Sequence, residues 1–217
     1  MKKVLVIATH PDDEILGCGA TVALHVNNGD EVLPLILCEG ESMRKQDTGE
    51  KVIASYNAAK ILGTNKPIMV GLPDQHLDAL PIVDIVTPIE EVVNKYKPNI
   101  IYCQYGEDLN KDHQIVFNAA LVAIRPKNTF IEEIYCYYTV GSTEWNFPSS
   151  FIPNTWVTFD KQIMEKKVLS FNCYESEACL YPNPRSSDAL INMAKFFGNQ
   201  VCSEYAEGMM LIRKVKR

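Results

Sequence analysis

Two short, unbroken apolar runs constrain this chain most: VLVIA (4–8) and the NIIYC segment (99–103). Neither alternates apolar with polar residues, as a strand wetted on one face would. Such runs suit strands covered on both faces, the usual state of a parallel sheet. Each is followed by helical spacing. After the first run, Leu16, Ala20, Ala23 and Leu24 recur through 13–28 until NNGD stops the helix. After the second, Val116, Ala119, Ala120 and Ala123 share one face of 112–124.

The same alternation continues elsewhere. EVLPLILC (31–38) is expected as a strand, with Pro34 making its first half irregular or weakly paired. Helices are expected at 49–62 and 82–96, the second with the clearest period in the chain and a kink or break at Pro88. PIMV (67–70) and IEEIYCYYTV (131–140) read as strands, 141–155 as a loop, and about 160–172 and 186–198 as the last helices. This order predicts an α/β fold: a single-domain, Rossmann-like three-layer sandwich with a mostly parallel sheet and helices on both faces. No repeat or linker divides residues 1–217.

Composition narrows the partners. A formal charge of −6 over 217 residues argues against nucleic acid or an anionic membrane surface, which need a clustered positive field. No stretch reaches the roughly 18 apolar residues of a membrane span. Seven scattered cysteines without a CxxC pair read as reduced thiols, so a cytoplasmic protein is expected.

In open α/β sheets, ligands bind in the loops at the carboxyl ends of the strands. Two such loops, THPDD (9–13) and QYGEDLNKDH (104–113), each set a histidine against acids. His10, one of Asp12 or Asp13, and His113 would give a two-histidine, one-carboxylate set for a divalent metal with a position left for water. The remaining acid could then serve as general base toward the water that the metal activates. Helix capping is the competing account: Asp12, Asp13 and Glu14 suit a first helical turn, and Asp112 could cap the helix beginning at His113. Capping does not explain why two histidine–acid clusters share one sheet edge.

His76, in LPDQHLD, is a candidate to line the site, whereas His25 reads as surface or boundary. Gly17 and Gly19 suggest a dinucleotide loop, but the third glycine would fall on Val22 and the loop is acidic. A non-haem iron oxygenase would use the same ligand set; the spare acid favours hydrolysis. A sugar-binding protein without turnover is a third reading.

THPDDE with the downstream DLNKDH resembles the PIG-L/LmbE-like de-N-acetylases, zinc enzymes that deacetylate N-acetylated sugars such as N-acetylglucosamine and related amides. LPDQHLD, PRSSDAL and EYAEGMMLIR look like further features of that family. The resemblance implies that His10, Asp13 and His113 bind Zn2+, that Asp12 is the general base, and that Asp112 orients a neighbouring group. It places Arg44 where members hold substrate. Several members carry a histidine three residues before the last zinc ligand, where it stabilises the oxyanion; here that residue is Asn110. The implied partner is a small N-acetylated sugar or conjugate, and a homo-oligomer is compatible with the sequence.

Overall fold

The computed structural model describes residues 1–40, 49–127, 129–148 and 150–216. Among these, seven strands form one sheet: β1 (Lys3–Ala8), β2 (Glu31–Cys38), β3 (Ile68–Leu72), β4 (Ile100–Gln104), β5 (Glu133–Tyr137), β6 (Thr155–Phe159) and β7 (Tyr205–Lys214). Six helices connect them: α1 (Asp13–Asn27), α2 (Glu50–Leu62), α3 (Ile82–Tyr96), α4 (Lys111–Ala123), α5 (Lys161–Phe171) and α6 (Ser187–Asn199). The strand order is β3-β2-β1-β4-β5-β7-β6. The first five strands run parallel; β7 pairs antiparallel with both β5 and β6.

Side chains alternate across the sheet, and both faces are covered. Val4, Val6, Tyr102, Tyr135 and Tyr137 join a core with α1, α2, α5 and α6. Leu5, Ile7, Ile101, Cys103, Ile134 and Cys136 join the other with α3 and α4. This two-sided burial is the reason the runs in β1 and β4 show no polar alternation. The three-layer architecture is the one expected.

Three expectations need correction. Alternation of strand and helix does not persist to the end: β6, within TWVTF, and β7 form an antiparallel edge that the pattern did not predict. In β7 the buried Glu207 interrupts an apolar face, and Gly208 leaves room for the Phe197 ring, whose Cδ1 would lie 2.8 Å from an added Cβ. Pro88 does not break α3, which continues from Ile82 to Tyr96. Pro34 sits opposite Val6 in register with β1, while β3 begins pairing only at Leu35. The half-strand carrying the proline is thus regular but paired on one side, where a missing N–H is tolerated.

The order reverses between β1 and β4. That switch point opens a crevice at their carboxyl ends, and the turns at 9–12 and 105–110 both border it. No helix among the described residues is long and apolar enough to cross a membrane.

Candidate metal centre

The switch point brings His10, Asp13 and His113 together. His10 Nδ1 lies 3.3 Å from His113 Nε2 and 3.5 Å from Asp13 Oδ2, and the latter two atoms are 3.2 Å apart. Ligand atoms about 2.0–2.2 Å from a tetrahedral zinc are about 3.3–3.6 Å from each other, so the three atoms suit one shared ion. The donor types also suit zinc. Asp13 adds a further reason: its Oδ1 is buried without a hydrogen-bond partner among the described residues. Its Oδ2 accepts from the His10 N–H (2.8 Å) and from Gln104 Nε2 (3.0 Å).

Each imidazole is held from behind by acids, the arrangement that fixes ring orientation at metal sites. His10 Nε2 faces Asp74 Oδ1 at 3.0 Å and Asp112 Oδ2 at 3.4 Å. Asp112 also accepts from the backbone N–H groups of Gln75 (2.8 Å) and Leu77 (3.3 Å), tying the 74–77 loop to α4. It is not the cap of α4, as the sequence allowed. Asn110 occupies that position, and its Oδ1 accepts from the Asp112 N–H at 2.9 Å. His113 Nδ1 lies 3.1 Å from Asp108 Oδ1, off the line of an ideal hydrogen bond. Asp108 is itself pinned by the hydroxyls of Ser142 and Thr143, the latter at 2.6 Å.

The three neighbouring acids of PDDE have three different settings. Asp13 is the ligand candidate: burial pushes its carboxyl up, but His113 and His10 outweigh this and hold it well below the ordinary range. Asp12 stands at the N-cap of α1 yet makes no side-chain cap bond, and its backbone is left-handed (φ 109°). Such a conformation is uncommon for a residue other than glycine. Its Oδ2 accepts from the Arg185 guanidinium at 3.0 Å instead. Burial drives Asp12 upward, Arg185 pulls it down, and Asp13 pushes it up again, leaving it at about 7. Glu14 braces the turn: its Oε2 accepts from the Asp12 N–H at 3.2 Å and its Oε1 from the Tyr174 hydroxyl at 2.7 Å. Burial raises its carboxyl to about 8.

Other expectations resolve as follows. His76 is exposed, and from its loop Asp74 and Gln75 reach His10 instead. His25 lies at the opposite end of α1, bonded to Asp30 (2.8 Å) and the Tyr102 hydroxyl (3.0 Å). Arg44 falls outside the described residues. All seven cysteines are free thiols. Residue-level reading missed Asp74, Gln104, Asp108 and Arg185. All four stand inside segments quoted from the sequence: Asp74 in LPDQHLD, Gln104 and Asp108 in QYGEDLNKDH, and Arg185 in PRSSDAL.

Comparison with known proteins places the chain in a family. The family model described as PIG-L, GlcNAc-PI de-N-acetylase, matches residues 5–124, more than half of the chain. The uncharacterized deacetylase YaiS of Escherichia coli (strain K12) is 28% identical over 169 residues, covering 76% of this chain and 81% of that protein. Among solved structures, GalB, the 4-carboxy-2-hydroxymuconate hydratase of Pseudomonas putida KT2440, superposes with a TM-score of 0.80 at 19% identity, covering 100% of this chain and 99% of that one. The N,N'-diacetylchitobiose deacetylase of Pyrococcus horikoshii gives a TM-score of 0.77 at 20% identity over 97% of this chain and 84% of that one. The structural likenesses show the shared fold.

Proposed function

Because the chain belongs to the PIG-L, GlcNAc-PI de-N-acetylase, family, we propose that it is a zinc-dependent hydrolase that removes the acetyl group from an N-acetylated sugar or sugar conjugate. The observation that carries this reading is the His10, Asp13, His113 donor set beside a separate buried carboxylate, Asp12. A divalent metal held by those three residues would supply Lewis acidity toward the amide carbonyl and would acidify water.

The chain's own groups account for the rest. Asp74 and Asp112 behind His10, and Asp108 behind His113, keep the two rings aimed inward. Asp12, a buried carboxylate outside the donor set, takes a proton from the attacking water as general base. Arg185 keeps that carboxylate off the helix end and in the crevice. Asp12 then returns the proton to the departing amine, which is a poor leaving group until protonated. Asn110 has committed its Oδ1 to the cap of α4, so its amide Nδ2 is the atom assigned to the developing oxyanion. Arg44 is the proposed substrate holder.

GalB is a hydratase on the same framework, so the fold alone does not select deacetylation; the family match and the poised Asp12 favour it. The spare acid also weighs against the oxygenase reading, which has no use for a base beside its metal. The deciding experiment is acetate release from N-acetylglucosamine and from its nucleotide-linked, lipid-linked and thiol conjugates, with and without a chelator. Release from at least one substrate, abolished by chelation and restored by zinc, is expected. Release that chelation leaves untouched would refute the metal, and tight sugar binding without acetate would leave a binding protein.

A further inference from the structure

The GCG triplet at 17–19 serves neither the donor set nor the general base, yet it sits where α1 breaks. Cys18 leaves helical geometry (φ −140°, ψ 22°), which frees backbone groups on both sides. Helix ends buried without partners are costly, and here two distant side chains supply them. After the break, Glu207 of β7 accepts from the N–H groups of Ala20 (3.0 Å) and Thr21 (2.8 Å) and from the Thr21 hydroxyl (2.6 Å). Before it, the Lys167 ammonium of α5 donates to the Leu16 carbonyl at 2.9 Å. The two charges meet at 2.6 Å, with side chains only 6% and 5% exposed. Glu207 thereby caps the start of the second half of α1, and Lys167 caps the end of the first.

We propose that Lys167 and Glu207 are positioning residues for the metal centre: by splicing α1 at Cys18 they fix the tilt of its first turn, and with it Asp13 between the two imidazoles. This rests on the reading of His10, Asp13 and His113 as metal ligands. The first turn lies very close to Tyr137. A Cβ on Gly17 would sit 2.0 Å from that ring, and the Tyr137 hydroxyl donates to the Ile7 carbonyl at 3.0 Å, three residues before His10. The break lets this turn settle on Tyr137 while the second half keeps its own seat in the core through Ala20, Val22 and Ala23. A buried ion pair often gives no more stability than apolar residues of similar volume. The geometry it enforces is the better account of its presence.

The test is the neutral double variant Lys167→Met/Glu207→Gln. Zinc affinity, read by competition with a chromophoric chelator, is expected to fall about tenfold, as for groups that orient ligands, with kcat reduced and KM within about twofold. Lys167→Arg alone, which keeps a cation on the Leu16 carbonyl, is expected to retain most of the affinity. Melting temperature would drop for a merely structural pair as well; zinc affinity in the folded variant would not. A folded double variant that binds zinc as the wild type does overturns the proposal. Should that variant not fold, Thr21→Val removes one bond of the splice while keeping both charges. Weaker zinc binding is then expected, and unchanged binding overturns the idea. A wild-type chain without affinity for zinc would remove this proposal together with the metal reading. Tight zinc binding without acetate release would remove the deacetylase reading alone.

Discussion

The turn after β4 caps itself, whereas the turn after β1 is held by residues far away in the chain. In the first, Asn110 caps α4 through the Asp112 N–H, and Asp108 accepts from the Asn110 N–H at 2.8 Å, all within five residues. In the second, Asp12 makes no side-chain cap and adopts φ 109°, a conformation costing about 1–3 kcal/mol outside glycine. It is held by Arg185, 173 positions away, and by Glu14, which Tyr174 grips from 160 positions away. Both turns deliver a histidine to the same point. After β4 the carboxylates that cap nothing, Asp108 and Asp112, stand behind the imidazoles. The strained turn also presents Asp12, which neither caps a helix nor backs a histidine, and the strain separates it from the helix end.

The largest effect expected from breaking this contrast is at Asp12. Asp12→Asn should bind zinc as the wild type does and lose about 10²–10⁴-fold in kcat, the range for a general base. Asparagine tolerates the left-handed backbone, so the melting temperature should not fall; a variant with full activity would remove Asp12 from the mechanism. On the other turn, Asp108→Asn should weaken zinc binding about 10–100-fold, measured by chelator competition, because His113 loses its carboxylate.

A pH series sharpens the comparison further. In the metal-free chain, burial lowers the His113 imidazole, but Asp13 and Asp108 outweigh burial and His10 to raise it to about 9, against an ordinary 6.5. A raised folded pKa stabilises fully below 6.5, and that contribution is lost as pH climbs through 9. The metal-free melting temperature should therefore fall across this window while zinc affinity rises, since binding must displace the proton. A flat affinity profile would contradict a protonated resting His113. The smallest effect belongs to the self-capped turn. Asn110→Ala should cost about 1 kcal/mol in chemical denaturation, and Asn110→Asp, an equal cap, almost nothing. If the Asn110 amide serves the oxyanion, Asn110→Asp will keep stability and still lose rate.

These contrasts explain what could be read in advance. The runs in β1 and β4 identify buried parallel strands because two-sided burial removes polar alternation, and the binding of ligands at the carboxyl ends of such strands then points to the turns that follow. His10, His113 and one of Asp12 or Asp13 could be named as candidates for that reason; singling out Asp13 rested on the family resemblance. β7 was not legible, because the buried Glu207 interrupts its apolar pattern and the partner that meets that charge, Lys167, lies 40 residues away. Arg185 stands in the quoted PRSSDAL segment, but nothing local to it says that its guanidinium reaches Asp12, 173 positions away.

The sequence alone determined the strand–helix order, the location of the two histidine turns and the donor types, all properties of short windows of chain in which periodicity and residue chemistry suffice. Tertiary structure decided the different settings of the three neighbouring acids. Asp12, Asp13 and Glu14 are chemically near-identical, and only the groups that the fold sets beside them (Arg185, the two imidazoles, Tyr174) suit one to the proposed base, one to the proposed ligand and one to a brace. Carboxylate behaviour depends on burial and neighbouring charge, and neither exists until the sheet has closed.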